Sequence, residues 1–155
     1  MTKKSPKQER SAGAVVFTID KEKTKFLLLQ NTLKKTYWEF PKGKIEKDET
    51  IEETIKREIK EETELDKFNI IPGFKHIIKW FFRFRGNLIQ KEAVYLLAEV
   101  PVKDKDKAKI SFEHQKIKWM DFEEAEREMN IKSNRQMLEK AYKFIKEFKK
   151  QRRLF

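Results

Sequence analysis

Apolar and polar residues follow different rhythms along the chain, and each rhythm predicts an element. SAGAVVFTI, from Ser11 to Ile19, is rich in small and β-branched residues and predicts a strand. The polar stretch DKEKTK turns the chain into Phe26 to Gln30, a short apolar run that predicts the paired strand. Trp38 to Phe40 is a brief extended piece, ended by Pro41 and Gly43. From Phe74 the sequence FKHIIKWFFRFR alternates. Phe74, His76, Ile78, Trp80, Phe82 and Phe84 fall on one face, and Lys75, Ile77, Lys79, Phe81, Arg83 and Arg85 on the other. A period of two means a strand, here with one mixed basic and apolar face. Gly86 and Asn87 turn it, and Ile89 to Val100 returns as a second strand. PVKDKDKAK reads as a charged loop, and Lys116 to Met120 as a last short strand.

Three stretches switch to the helical period. Residues 50–63 form the first, followed by a connection from Asp66 to Gly73. Asp121 is placed to cap a short helix running through Met129. Ser133 with Gln136 has the spacing of a capping box, opening a helix that carries Met137, Leu138, Ala141, Phe144, Ile145 and Phe148. The sum is a mixed sheet with helices, an α+β or three-layer arrangement, and not an alternating parallel fold. Residues 1–9 read as a flexible basic tail, residues 10–150 as one domain, and residues 151–155 as a basic C-terminal tail.

Composition narrows the chemistry. A length of 155 residues fits one domain, and thirteen Phe help to supply a core. There is no cysteine, which removes disulfides, thiolate zinc sites and cysteine nucleophiles together. With only two histidines, His76 and His114, a nitrogen-ligated zinc cluster is disfavoured. Any metal would be a hard cation held by oxygen. No apolar run approaches a membrane span, and the basic start MTKKSPKQER lacks the apolar segment of a secretion signal. The expectation is a soluble, cytoplasmic protein with no membrane partner, a monomer or weak dimer. The net charge of +11 suits an anionic partner or a solvated lysine surface, and lysine count alone does not separate these.

One segment runs against that positive charge. GKIEKDETIEETIKREIKEETEL, residues 43–65, is dense in carboxylates. With Ile51 at zero and about 100° per residue, Ile55 and Ile59 fall at about 40° and 80°, and Leu65 at about 320°. Glu52, Glu53, Lys56 and Lys60 take the opposite side and form ordinary surface pairs. Glu58 and Glu62 land at about 340° and 20°, within the apolar stripe, and Glu61 near 280° at its edge. A charge run is usually solvated surface, but these acids point toward the protein. Burial of such charge is costly unless it is paired or bound to metal. Three carboxylates within reach of a common point suit Mg²⁺ or Mn²⁺.

The same residues carry a resemblance. Gly43, Glu49, Arg57, Glu58, Ile59, Glu61, Glu62 and Leu65 stand at the spacing of the Nudix box, so this segment resembles that of the Nudix hydrolases. The box's last Gly is Glu64 here, and its usual Pro-Gly before Glu49 is Lys47-Asp48. RSAGAVVF, FLLLQ, WEFPKG, GFK, EAVYLLAEV and EHQKIKWMDFEEA are similar to the diadenosine tetraphosphate hydrolase branch of the family, in that branch's order over most of residues 10–127.

The resemblance implies an α/β/α sandwich and a metal-dependent attack of water on phosphorus. It implies Mg²⁺, with Mn²⁺ as the other candidate, held by Glu58, Glu61 and Glu62 and by a backbone carbonyl of Lys42 or Gly43. One of the three glutamates would orient or deprotonate the water; which one stays open. Arg57 and Glu49 would hold the loop onto the helix. Phosphate contacts would come from Lys42, Lys79, Lys91 and Tyr95. Trp80 would stack on the base, although its strand face also suits a core residue. Glu113 and His114 would lie near the metal site, Glu113 as a ligand or water-positioning group. The substrate implied is diadenosine tetraphosphate, split to ATP and AMP. The alternatives are an RNA 5′-end pyrophosphohydrolase, which asks for a basic path through Lys75, Lys79, Arg83 and Arg85, and a non-catalytic nucleotide- or RNA-binding domain. Loss of catalysis would be expected to remove box acids, and all three are present. A left-handed Glu64 would cost about 1 kcal/mol if the Gly conformation is kept.

Overall fold

The computed structural model describes residues 7–31, 37–110 and 114–154, with the side chains of residues 114 and 115 also outside the description. The elements run in the order β1 (Lys7–Asp20), β2 (Lys23–Asn31), β3 (Tyr37–Glu39), β4 (Lys42–Lys44), α1 (Ile51–Thr63), β5 (Asn69–Ile70), β6 (His76–Phe84), β7 (Asn87–Glu99), a 3₁₀ turn (Val102–Lys107), β8 (His114–Met120), α2 (Phe122–Glu128) and α3 (Lys132–Arg153).

The eight strands form one mixed sheet. β1 and β7 pair in parallel from Lys7↔Ile89 to Phe17↔Glu99, and every other pair is antiparallel. Apolar side chains leave the sheet on both faces and build two cores. On one face Val15, Phe17, Phe26, Leu28 and Leu97 meet Ala125, Met137, Leu138, Ala141 and Ile145 of α2 and α3. On the other, Ala12, Ala14, Val16, Leu27 and Ala98 meet Ile55 and Ile59 of α1. This is the expected α/β/α sandwich. Among the described residues no helix is long and apolar enough to cross a membrane.

The sheet divides at the site. One side of β1 pairs with β2 at Phe17–Asp20 and with β4 at Ser11–Gly13. β2 meanwhile pairs with β3 at Leu29–Asn31. The chain crosses this split at Phe40 and Pro41, where Ala14 N–H donates to the Pro41 carbonyl (3.1 Å). The crossing is tight: a Cβ on Gly13 would meet Pro41 O at 2.5 Å, Lys42 Cβ at 2.7 Å and Tyr95 Cε1 at 2.8 Å.

Several expectations need correction. The basic tail expected to reach residue 9 already belongs to β1 from Lys7, because β7 extends far enough to pair with it. The tail expected at residues 151–155 is helical through Arg153, where Arg152 chelates Glu99 at 2.6 and 3.0 Å. β4 and β5 were read as turn and connection; strands this short carry no periodicity. The charged loop after Val100 is a 3₁₀ turn, in which Asp104 is buried against Lys107 (2.8 Å). Ser133 does not cap α3, which starts at Lys132 with Ile131 as a cap residue making no side-chain bond. The capping box forms on α1 instead: Glu53 N–H donates to Thr50 Oγ1, and Thr50 N–H to Glu53 Oε1, both at 3.1 Å. Asp121 caps α2 as expected, accepting from Glu124 N–H at 2.8 Å.

Candidate active site

The faces of α1 decide which acids reach the interior. Ile55, Ile59 and Glu62 are buried, while Glu52 and Glu53 are exposed, as the helical angles require. Glu64 closes the helix with φ 63°, and its N–H donates to Lys60 O at 2.9 Å. The left-handed closure therefore survives without glycine.

Arg57 ties the preceding loop to the helix. Its Nε donates to Glu49 Oε2 (2.8 Å) and its Nη2 to Glu49 Oε1 (2.9 Å), a two-pronged pair. Nη2 also donates to the Lys44 carbonyl (2.9 Å). Nη1 donates to Glu58 Oε1 (2.7 Å) and more distantly to Glu61 Oε2 (3.4 Å). Glu49 accepts in addition from Glu46 N–H and Thr54 Oγ1. The Arg57 side chain first, then the other donors, hold the Glu49 carboxyl down to a pKa of about 2. Arg57 in turn is raised above its ordinary value, chiefly by its hydrogen bonds to Glu49.

Gly43 is the contact between loop and acid. The Glu58 carboxylate lies where a Gly43 side chain would stand: a Cβ there would meet Glu58 Oε2 at 2.6 Å, and Oε1 and Cδ closer still. β4 thus brings the Gly43 backbone against the Glu58 carboxylate. Glu62 lies one turn further along the same helix. It is only 8% exposed, and its charge acts on both Lys42 and Tyr95.

These two residues belong to a cleft of about 390 Å³ beside the helix. Tyr37 and Glu39 of β3 form one wall, and Ile78, Lys79 and Trp80 of β6 the other. Lys42 and Tyr95 lie between, and Ile131, Ser133 and Asn134 close one end. Burial pushes the Lys42 ammonium down, against the pull of Glu39. Burial, then Glu39, Glu62 and Tyr37, push the Tyr95 phenol up, so it keeps its proton at neutral pH. The Lys42 ammonium sits 5.1 Å from the centre of the Trp80 ring. Trp80 combines both roles weighed from sequence: it packs against the core and lines the cleft.

The other expected residues divide. Lys79 lines the cleft, with its ammonium 4.0 Å from Glu92. Lys91 lies outside that lining, 3.6 Å from Glu9 and over the Phe82 ring. Glu113 and the side chain of His114 fall outside the described residues. Glu58 and Glu61 both lie against the Arg57 guanidinium, while Glu62 is buried. Among the described residues no three acidic or imidazole groups gather as a cation cage. Like charges one turn apart repel, and Arg57 draws Glu58 and Glu61 toward its own guanidinium. Of the residues expected in a basic path, Lys79 lines the cleft, and Lys75, Arg83 and Arg85 lie outside its lining. Tyr37, Glu39, Ser133 and Asn134 were missed, and only their meeting across the cleft marks them.

The donors available suit a hard divalent ion: carboxylate oxygens on one helix and backbone carbonyls at Lys42 and Gly43. Gly43, which has no Cβ, lets the Glu58 carboxylate lie directly against this backbone.

Comparison with known proteins bears on this site. The model of the NUDIX domain matches residues 8–141. The chain is 32% identical over 145 residues to the mouse bis(5′-nucleosyl)-tetraphosphatase [asymmetrical], covering 88% of this chain and 95% of that one. The pig protein of that name is 30% identical over the same length and coverage. Among solved structures, a binary complex of the C. elegans Ap4A hydrolase superposes with a TM-score of 0.76 at 28% identity, covering 88% of this chain and 97% of that one. The E. coli dihydroneopterin triphosphate pyrophosphohydrolase, at 21% identity and a TM-score of 0.68, shares the fold.

Proposed function

The chain belongs to the NUDIX-domain family and is a Nudix hydrolase; from that premise we propose that it splits diadenosine tetraphosphate asymmetrically, to ATP and AMP. The observation that carries this reading is the junction of two halves. A helix bearing Glu58, Glu61 and Glu62 meets, through Gly43 and Lys42, a cleft with Trp80 on one wall and Glu39 and Tyr37 on the other. One half suits a phosphate chain and the other a nucleoside. The similarity to asymmetrical tetraphosphatases over most of both chains supports the same substrate.

In this reading Glu58, Glu61, Glu62 and the carbonyl of Lys42 or Gly43 would hold Mg²⁺ or Mn²⁺. The chemistry it would supply is charge neutralisation at phosphate and a lowered pKa for water. Water attacks one phosphorus, the bridging P–O bond breaks, and the water proton passes to a glutamate of α1. Arg57 fixes Glu58 against Gly43 and so positions it without touching substrate. Lys42 balances phosphate charge, and the protonated Tyr95 hydroxyl donates a hydrogen bond to a phosphate oxygen. Trp80 stacks on the base, a contact of about 1–3 kcal/mol that any base can make. Glu39 and Asn134 line the same cleft and offer polar groups to the base edge.

The test is hydrolysis of diadenosine tetraphosphate with Mg²⁺, products separated by chromatography, beside a Glu62→Gln control. Equal ATP and AMP, lost in the control, is the expected result. Two molecules of ADP would reject the asymmetric mechanism. Turnover of 5′-triphosphate RNA in its place would reject the substrate, and no turnover of either would favour a binding domain.

A further inference from the structure

Edge strand β6 continues past the cleft with a line of aromatic rings, each set against a cation. Trp80, Phe82 and Phe84 occupy alternate positions, so they share one face in steps of about 6.8 Å. Lys42 Nζ lies 5.1 Å from the Trp80 ring centre, Lys91 Nζ 5.0 Å from that of Phe82, and the Arg85 guanidinium 5.1 Å from that of Phe84. The three residues of β7 opposite them are Lys91, Ile89 and Asn87. Of the three rings only Trp80 lines the cleft. Phe84 is 54% exposed, and among the described residues β6 pairs with β7 alone. A half-exposed aromatic on a sheet edge is a liability unless it has an occupant. Lys91 also lies 3.6 Å from the Glu9 carboxylate.

We propose that this ladder is a docking track for single-stranded RNA. Its bases stack on Phe82 and Phe84, its phosphates meet Lys91 and Arg85, and one end enters the cleft at Trp80. A single strand matches the pattern because it repeats a π-face and a negative charge at each step. Duplex RNA hides its bases and offers charge alone. A dinucleoside brings two bases to a line of three rings, so the track is longer than the proposed small substrate. The inference rests on the cleft being a nucleotide site, but not on which bond is cleaved there.

The test is fluorescence anisotropy of the full chain with a labelled uridine RNA of about ten nucleotides. A 5′-hydroxyl end leaves no polyphosphate to hydrolyse, so failed binding and failed hydrolysis are separate results. The single strand should bind more tightly than a duplex of equal length. With two or three phosphates neutralised, log K should fall against log salt with a slope of about −1.4 to −2. Phe84→Ala should weaken binding by about five- to a hundredfold, and Phe84→Trp should restore it. Arg85→Gln should reduce the slope by about 0.7. All three variants should keep wild-type hydrolysis of diadenosine tetraphosphate, which also shows that they are folded. Equal affinity for duplex and single strand, or unchanged affinity in Phe84→Ala, would overturn the proposal.

Discussion

Replacing Gly43 with alanine tests how the loop and the catalytic helix are joined. The new methyl group would stand inside the Glu58 carboxylate, within 2.6 Å of Oε2 and closer to Oε1 and Cδ. Side-chain carbons do not approach that closely, so one partner must move. The carboxylate is the end of a flexible chain and gives way more readily than β4, which is paired to β1. Moving it breaks the 2.7 Å bond from Arg57 Nη1. A hydrogen bond to a charged group contributes about 1.5–3 kcal/mol. Arg57 is partly exposed and keeps its other acceptors, which brings the loss to about 1 kcal/mol. Residual crowding adds up to about 2 kcal/mol. A total of about 1–3 kcal/mol lowers Tm by roughly 3–10 °C for a chain of this size. Activity should suffer more than stability, because about 1 Å of misplacement at a reacting group can cost about a hundredfold in rate. Urea melts and turnover of diadenosine tetraphosphate read the two effects. The decisive measurement is the double-mutant cycle with Glu58→Ala, which removes the atoms the methyl group would strike. In that background Gly43→Ala should cost little stability. If it costs as much as in the wild-type chain, the clash is not with Glu58 and the reasoning fails.

Two further predictions concern the end of α1 and the loop before it. Glu64→Gly should raise Tm by about 2–4 °C, since a left-handed non-glycine residue costs about 1 kcal/mol, and a thermal melt at neutral pH with a lower Tm would contradict it. Glu49, held near a pKa of about 2 against an ordinary 4.5, stabilises the folded chain above pH 4.5. That stability is lost as pH falls through about 2, so Glu49→Gln should lower stability at neutral pH and flatten its decline between pH 4.5 and 2. Denaturant melts across that range check this, and parallel curves for the two proteins would refute it.

Local repetition is what the sequence determined by itself. A period of two fixed β6 and β7, and a helical period fixed α1 together with the inward turn of Glu58 and Glu62. Both depend only on backbone geometry over a few residues. The spacing from Gly43 to Leu65 likewise identified the family, because loop and helix lie next to each other in the chain. The cleft could not be read this way. Tyr37, Glu39, Lys42, Trp80, Tyr95 and Asn134 come from five separate elements. They meet only because β1 pairs with β4 and β7 at once, while β3 follows β2 away from it. β4 has three residues and too few positions to show a rhythm, yet it sets Gly43 against Glu58. Ser133 illustrates the same limit. Its spacing to Gln136 suited a cap, but α3 begins earlier, and the tertiary packing turns that end of the helix into the cleft wall. Short-range geometry chose the elements and the faces of the acids. Long-range pairing entropy and packing decided which distant side chains share a site.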